Sequence, residues 1–193
     1  MPAPFVRRGD EVRFRLHEAE RALLTSLLEQ LDTALSEGDP SDAVIGRLEP
    51  RAVLGDADAD AELRATLAPT LRDERREAIA KVLARLGAAS GRGRVEVRLR
   101  DDEPWSLLGV LNDVRLAVGV RVGIEDLDRE RVPEGDPRAR MLAIVDHLGW
   151  WQWQLIGLLE PEAAVAAEPR ADDPVPGAID PWSGLTGPDA GGA

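Results

Sequence analysis

Val12-Arg-Phe-Arg-Leu16 runs directly into His17-Glu-Ala-Glu-Arg-Ala-Leu-Leu-Thr-Ser-Leu-Leu-Glu-Gln-Leu-Asp-Thr-Ala-Leu35, and this change of rhythm decides the fold class. The first segment alternates apolar and charged side chains, the period-two pattern of a strand with one buried face. In the second, Leu24, Leu27, Leu28, Leu31 and Leu35 recur at steps of three and four, which places them on one face of a helix. The unit occurs twice. With Val12 laid on Val95, the residues Phe14, Leu16, Leu24, Leu27, Leu28, Leu31, Ala34 and Leu35 fall on Val97, Leu99, Leu107, Val110, Leu111, Val114, Ala117 and Val118. Any amphipathic strand and helix share such a pattern. The more specific reading is a pseudo-symmetric core in which the two strands pair and the two helices pack across one face.

Working outward, Phe5–Arg8 with Gly9-Asp10 as a turn completes a hairpin with the first strand. A short helix is expected from Asp39 as cap and Pro40 as first helical residue to Leu48. Leu71, Ala78, Ile79, Val82, Leu83 and Leu86 form another apolar stripe, with Pro69 near its start and Gly87 past its end. Further helices are expected over about Glu103–Arg121 and from Asp136-Pro137 to Leu159. The fold class is therefore an α-rich α+β single domain over residues 4–160, with four long helices, one or two short ones and a small antiparallel sheet. From Pro161 the periodicity stops, and residues 161–193 read as a disordered acidic tail rich in proline, glycine and alanine.

Composition narrows the chemistry. The chain has 193 residues, 36 acidic and 24 basic, a net charge of −12 and no cysteine. A disulfide framework, a thiol nucleophile and cysteine-ligated metals are excluded. The opening residues carry no apolar signal segment and no stretch reaches membrane-spanning length, so a cytoplasmic location and no membrane partner are expected. The net charge disfavours binding to a phosphate backbone. One lysine, Lys81, accompanies 23 arginines, the coding bias of a GC-rich genome.

Motifs for catalysis are missing: there is no Walker loop, dinucleotide fingerprint, nucleophile elbow or zincin helix. Asp56-Ala-Asp-Ala-Asp-Ala-Glu62 spaces carboxylates as a calcium loop does, but Ala61 and Leu67 stand where that loop needs Gly and Glu, so a capped acidic helix start is the better reading. Ser90-Gly-Arg-Gly-Arg94 reads as a linker, and the acidic Glu125–Asp136 stretch as a solvated loop. His17 and His147 have no nucleophile beside them in sequence. No metal and no cofactor is expected.

Four groups of residues are candidate contacts. Arg13 and Arg15 on one strand and Arg98 and Arg100 on the other, with Arg7 and Arg8 nearby, form either a basic face for phosphate or an acidic partner, or charged strand surfaces that prevent edge pairing. Trp150, Trp151 and Trp153 cannot share one helical face at 100° per residue, so at least one is exposed or meets a protein partner or a second copy of the chain. Asn112, Arg115 and Gly119 lie on one helical strip, where Arg115 and Asn112 with Asp113 hold a small polar ligand, or Arg115 pairs with a carboxylate such as Asp146 while Gly119 permits close helix packing. In the tail, Ile179, Trp182 and Leu185 recur every three residues. They form a docking motif, a mask over the arginine face, or a passive extension.

Leu111-Asn-Asp-Val-Arg-Leu-Ala-Val-Gly-Val-Arg-Val-Gly-Ile124 and Ile144-Val-Asp-His-Leu-Gly-Trp-Trp-Gln-Trp-Gln-Leu-Ile-Gly-Leu-Leu159, with the leucine-rich first helix and Leu48-Glu-Pro-Arg-Ala52, resemble the actinobacterial domain-of-unknown-function family 2017 over about residues 5–160. The resemblance brings no enzyme activity, cofactor or catalytic residues. It implies a cytoplasmic regulator linked to stress response and transcription. Some members carry redox-suited cysteines, which this sequence lacks. The reading is a non-enzymatic regulatory or adaptor protein acting by protein contact. Its alternatives are a DNA-binding regulator using the arginine face, or a small-ligand enzyme with a site near Asn112 and Arg115.

Overall fold

The structure is a computed structural model that describes residues 3–53, 55–89, 93–133 and 135–160. Strand β1 (Phe5–Arg8) turns at Gly9, whose φ of +62° suits glycine, into β2 (Glu11–His17). Helix α1 (Glu18–Glu37) follows without a loop, because the Glu20 carboxylate reaches back and accepts the His17 backbone N–H at 2.6 Å. After α2 (Ala43–Leu48) come α3 (Ala57–Ala88), β3 (Arg94–Leu99), α4 (Glu103–Val122), a single 3-10 turn at Arg129–Arg131, and α5 (Pro137–Leu159). Asp136 caps α5 by accepting the Arg138 N–H, as expected.

The sheet is antiparallel in the order β1-β2-β3. Its β2–β3 register bears on the repeat. Val12 faces Leu99, Phe14 faces Val97 and Leu16 faces Val95. A two-fold axis between Phe14 and Val97 exchanges the two outer pairs and carries the Phe14–Val97 pair onto itself, which is the register that the matched strand patterns require. The matched helix positions agree, since Leu24, Leu28, Leu31 and Leu35 are buried in α1, as are Leu107, Leu111, Val114 and Val118 in α4. Both helices end on a left-handed glycine, Gly38 at φ +60° and Gly123 at φ +68°. At the second of these, Gly123 N–H bonds Val120 O and Ile124 N–H bonds Gly119 O, a Schellman ending that folds Ile124 back over Gly119.

Two element boundaries differ from the sequence expectation. Helix α2 begins at Ala43, not Pro40: Asp39 is used by Ser41, whose N–H and hydroxyl both donate to it, and Asp42 takes the capping role by accepting Val44 N–H. Helix α3 runs for 32 residues with Pro69 in its interior and Gly87 in its last turn. Its start is fixed far upstream of Pro69. Asp56 accepts the N–H groups of Asp58 and Ala59, and buried Asp60 accepts those of Ala52 and Val53 while pairing with Arg64 and Arg51. These anchors, in a segment of strong helix formers, carry the helix through a proline that costs one hydrogen bond.

One core joins all elements, with the apolar face of the sheet against the helices. Phe14 stacks on Phe5 at 4.4 Å and meets Trp151 of α5 edge-on at 5.0 Å. Helices α3 and α5 both pack against the α1–α4 pair. Among the described residues no helix is long and apolar enough to cross a membrane. Trp182 and the tail motif lie outside the described residues.

Candidate functional site

The Asn112–Asp113–Arg115 strip does not converge on one point. Exposed Asn112 accepts from Gln152 of α5 at 3.5 Å, and Asp113 pairs with Arg75 of α3 at 3.3 Å. Burial raises the Asp113 pKa above the ordinary aspartate value, with Arg75 opposing it. The expected Arg115–Asp146 pair is not formed. Asp146 instead accepts Arg129 from the 3-10 turn at 3.0 Å, where that loop returns over α5. Arg115 lies across Gly149, where a Cβ would stand 3.4 Å from its Nε. Its side chain borders a cleft of about 500 Å³ between α2, the second half of α4 and α5, with Arg47, Leu116, Val120, Ile124 and Val145 among the lining residues. Gly119 lines the same cleft, where an added Cβ would meet Ile124 at the ordinary contact distance of 3.4 Å.

On the sheet, Arg13, Arg15, Arg98 and Arg100 do share the face turned away from the helices, but two glutamates stand among them. Glu96 accepts from Arg13 at 3.1 Å and Arg15 at 3.3 Å, while Glu11 accepts from Arg13 at 2.8 Å and Arg100 at 3.3 Å. The hydrogen bond from Arg13 holds the Glu11 carboxyl below its usual pKa. Arg7 departs from this group: it points to the helix side and donates to Leu158 O at the end of α5. Arg98, exposed, carries no ion pair among the described residues.

The three tryptophans take three environments. Trp151 is 2% exposed in the core, Trp150 is half-buried beside His147, and Trp153 is 45% exposed. His147 meets Trp151 edge-on at 4.6 Å, and its Nε2 lies 3.2 Å from the Glu20 carboxylate. Burial acts to raise the Glu20 pKa, but the hydrogen bonds from His147 and the His17 backbone outweigh it and hold the carboxyl below its ordinary value. The cavity beside this pair is about 10 Å³, the room one water needs and too small for a substrate. The histidine and glutamate therefore join α1 to α5 as a structural pair.

An exposed apolar row on α3 was not singled out from sequence. Along the first half of α3, Leu63, Leu67 and Leu71 are 38%, 46% and 42% exposed. Every residue from Ala61 to Leu67 is exposed, so this stretch is an arm covered on few sides. Spaced four apart, the leucines form one row on a helix face. Leu71, assigned to the core stripe by its spacing, belongs to this exposed row, whereas Ile79, Val82 and Leu86 are buried as expected.

Residues 2–159 match the family model described as Domain of unknown function (DUF2017). The chain belongs to this family. No match was found among the curated proteins or among the solved structures. The DUF2017 match takes in every element from β1 to α5, and with them the cleft, the arginine face, the tryptophans and the leucine row.

Proposed function

We propose that this DUF2017 member is a non-catalytic, cytoplasmic regulatory or adaptor protein of an actinobacterium, stress- or transcription-linked, that acts by docking a protein partner. The observation that carries this reading is the exposed row Leu63, Leu67 and Leu71. Contiguous exposed apolar surface marks interaction sites, and a helix presenting apolar side chains at every fourth position is a recurring mode of protein recognition. Burying one leucine side chain contributes about 1.5–3 kcal/mol. About two-fifths of each leucine remains to be buried, so the three together contribute about 2–4 kcal/mol, and further contacts around the row must supply the rest of the cost of association. Exposed Trp153 and Ile156 on α5 form a second, smaller apolar pair.

The charged groups support the same reading. Glu20, Asp60 and Glu49 are engaged in caps, loop anchors and ion pairs that serve the fold. On the sheet face, Glu11 and Glu96 neutralise much of the arginine charge that a DNA-binding role would use. The net charge of −12 opposes that role as well. The test is partner capture from native cells with the leucine row intact and with it made polar.

A further inference from the structure

We propose that the cleft between α2, the second half of α4 and α5 binds a small amphipathic carboxylate, with its headgroup on Arg115 and its apolar body along Leu116, Val120, Ile124 and Val145. Its volume of about 500 Å³ falls in the range of small-molecule sites, and its lining has the expected mixture of apolar walls with a few polar groups. The walls come from secondary structure: Leu116 and Val120 stand one turn apart on α4, Val145 comes from α5, and Ile124 is folded back by the Schellman ending at Gly123.

The charges select the headgroup. Of the two arginines lining the cleft, Arg47 is paired with Glu125 at 3.5 Å. Arg115 has no ion pair among the described residues, and its guanidinium lies over Gly149. A planar guanidinium offers two parallel donors that match a carboxylate. Glu125 and Asp126 also border the cleft and oppose a doubly charged phosphate. One cation unpaired among the described residues, with acidic residues at the border and apolar walls, fits a single negative charge on an apolar body.

The probe series is octanoate, octyl phosphate and octanol, titrated into the full chain and followed residue by residue by NMR. The expected result is shifts on Leu116, Gly119, Val120, Ile124 and Val145, with octanoate binding at least five-fold tighter than octanol or octyl phosphate. Arg115→Met removes that preference and leaves octanol binding unchanged, and Arg115→Lys restores part of it. The proposal is overturned if octanol binds the wild-type chain as well as octanoate does, if the shifts lie outside the cleft, or if Arg115→Met keeps the preference. The wild-type comparison decides the matter even where a variant unfolds.

Discussion

Trp151 and Trp153 are two residues apart in sequence and opposite in energetic role. Trp151 contacts Phe14 and His147 inside the core, so Trp151→Ala removes buried area and leaves a cavity. Its expected cost is about 3–5 kcal/mol in urea unfolding. Trp153→Ala removes an exposed ring and should change stability by less than about 0.5 kcal/mol. The spacing of the tryptophans in the sequence requires them to separate. Which ring goes inside is decided by Phe14 on a distant strand, and helical periodicity carries no information about that. The same limit explains Arg115, since a chain position does not say that Arg129 is the arginine paired with Asp146.

Glu20 gives a pH signature at this scale. Its folded pKa lies below its unfolded value of about 4.3. Its stabilisation is therefore complete above that value and is lost as pH falls through the lower folded one. Glu20→Gln should be less stable than wild type at pH 7, and the difference should shrink by about pH 3. Urea midpoints at the two pH values measure it; a difference that stays constant contradicts the pairing of Glu20 with His147 and the His17 N–H.

Among the elements, α3 shows most plainly what the sequence reveals and what it hides. Alternation at Val12–Leu16 and Val95–Leu99, and the leucine spacing of α1, are enough to give the sheet, its pairing and the helices that cover it. Pro69 reads as a boundary because proline removes an N–H and clashes with the preceding turn. Yet the helix continues because Asp56 and Asp60 fix its start by long-range and capping bonds. The exposed leucine row has the same spacing as a core stripe. Periodicity identifies an apolar face and does not say what covers it. Pro69→Ala should restore the hydrogen bond to Ala65 O and remove a cost of about 3 kcal/mol. Slower amide hydrogen exchange through residues 61–71, by tenfold or more, is the expected readout.

For the whole molecule, the two strand–helix units give a pseudo-symmetric centre, and the long helices that pack on it break the symmetry. Helix α5 has 23 residues and α3 has 32. The added length of α3 lies in the arm, where burial is sparse and the leucine row is exposed. A segment that contributes little to the core while displaying three leucines lowers solubility unless a partner covers it. The most direct measurement is capture of partners from native cells by the full chain, with and without Leu63→Ser, Leu67→Ser and Leu71→Ser together. Thermal unfolding is measured alongside, because each Leu→Ser lowers helix propensity and gives up a side chain that is partly covered, at about 0.5–1 kcal/mol apiece. The account predicts a protein retained by the wild-type chain and lost, by at least tenfold, from the triple variant. A folded triple variant that retains the same partners in the same amount would contradict it.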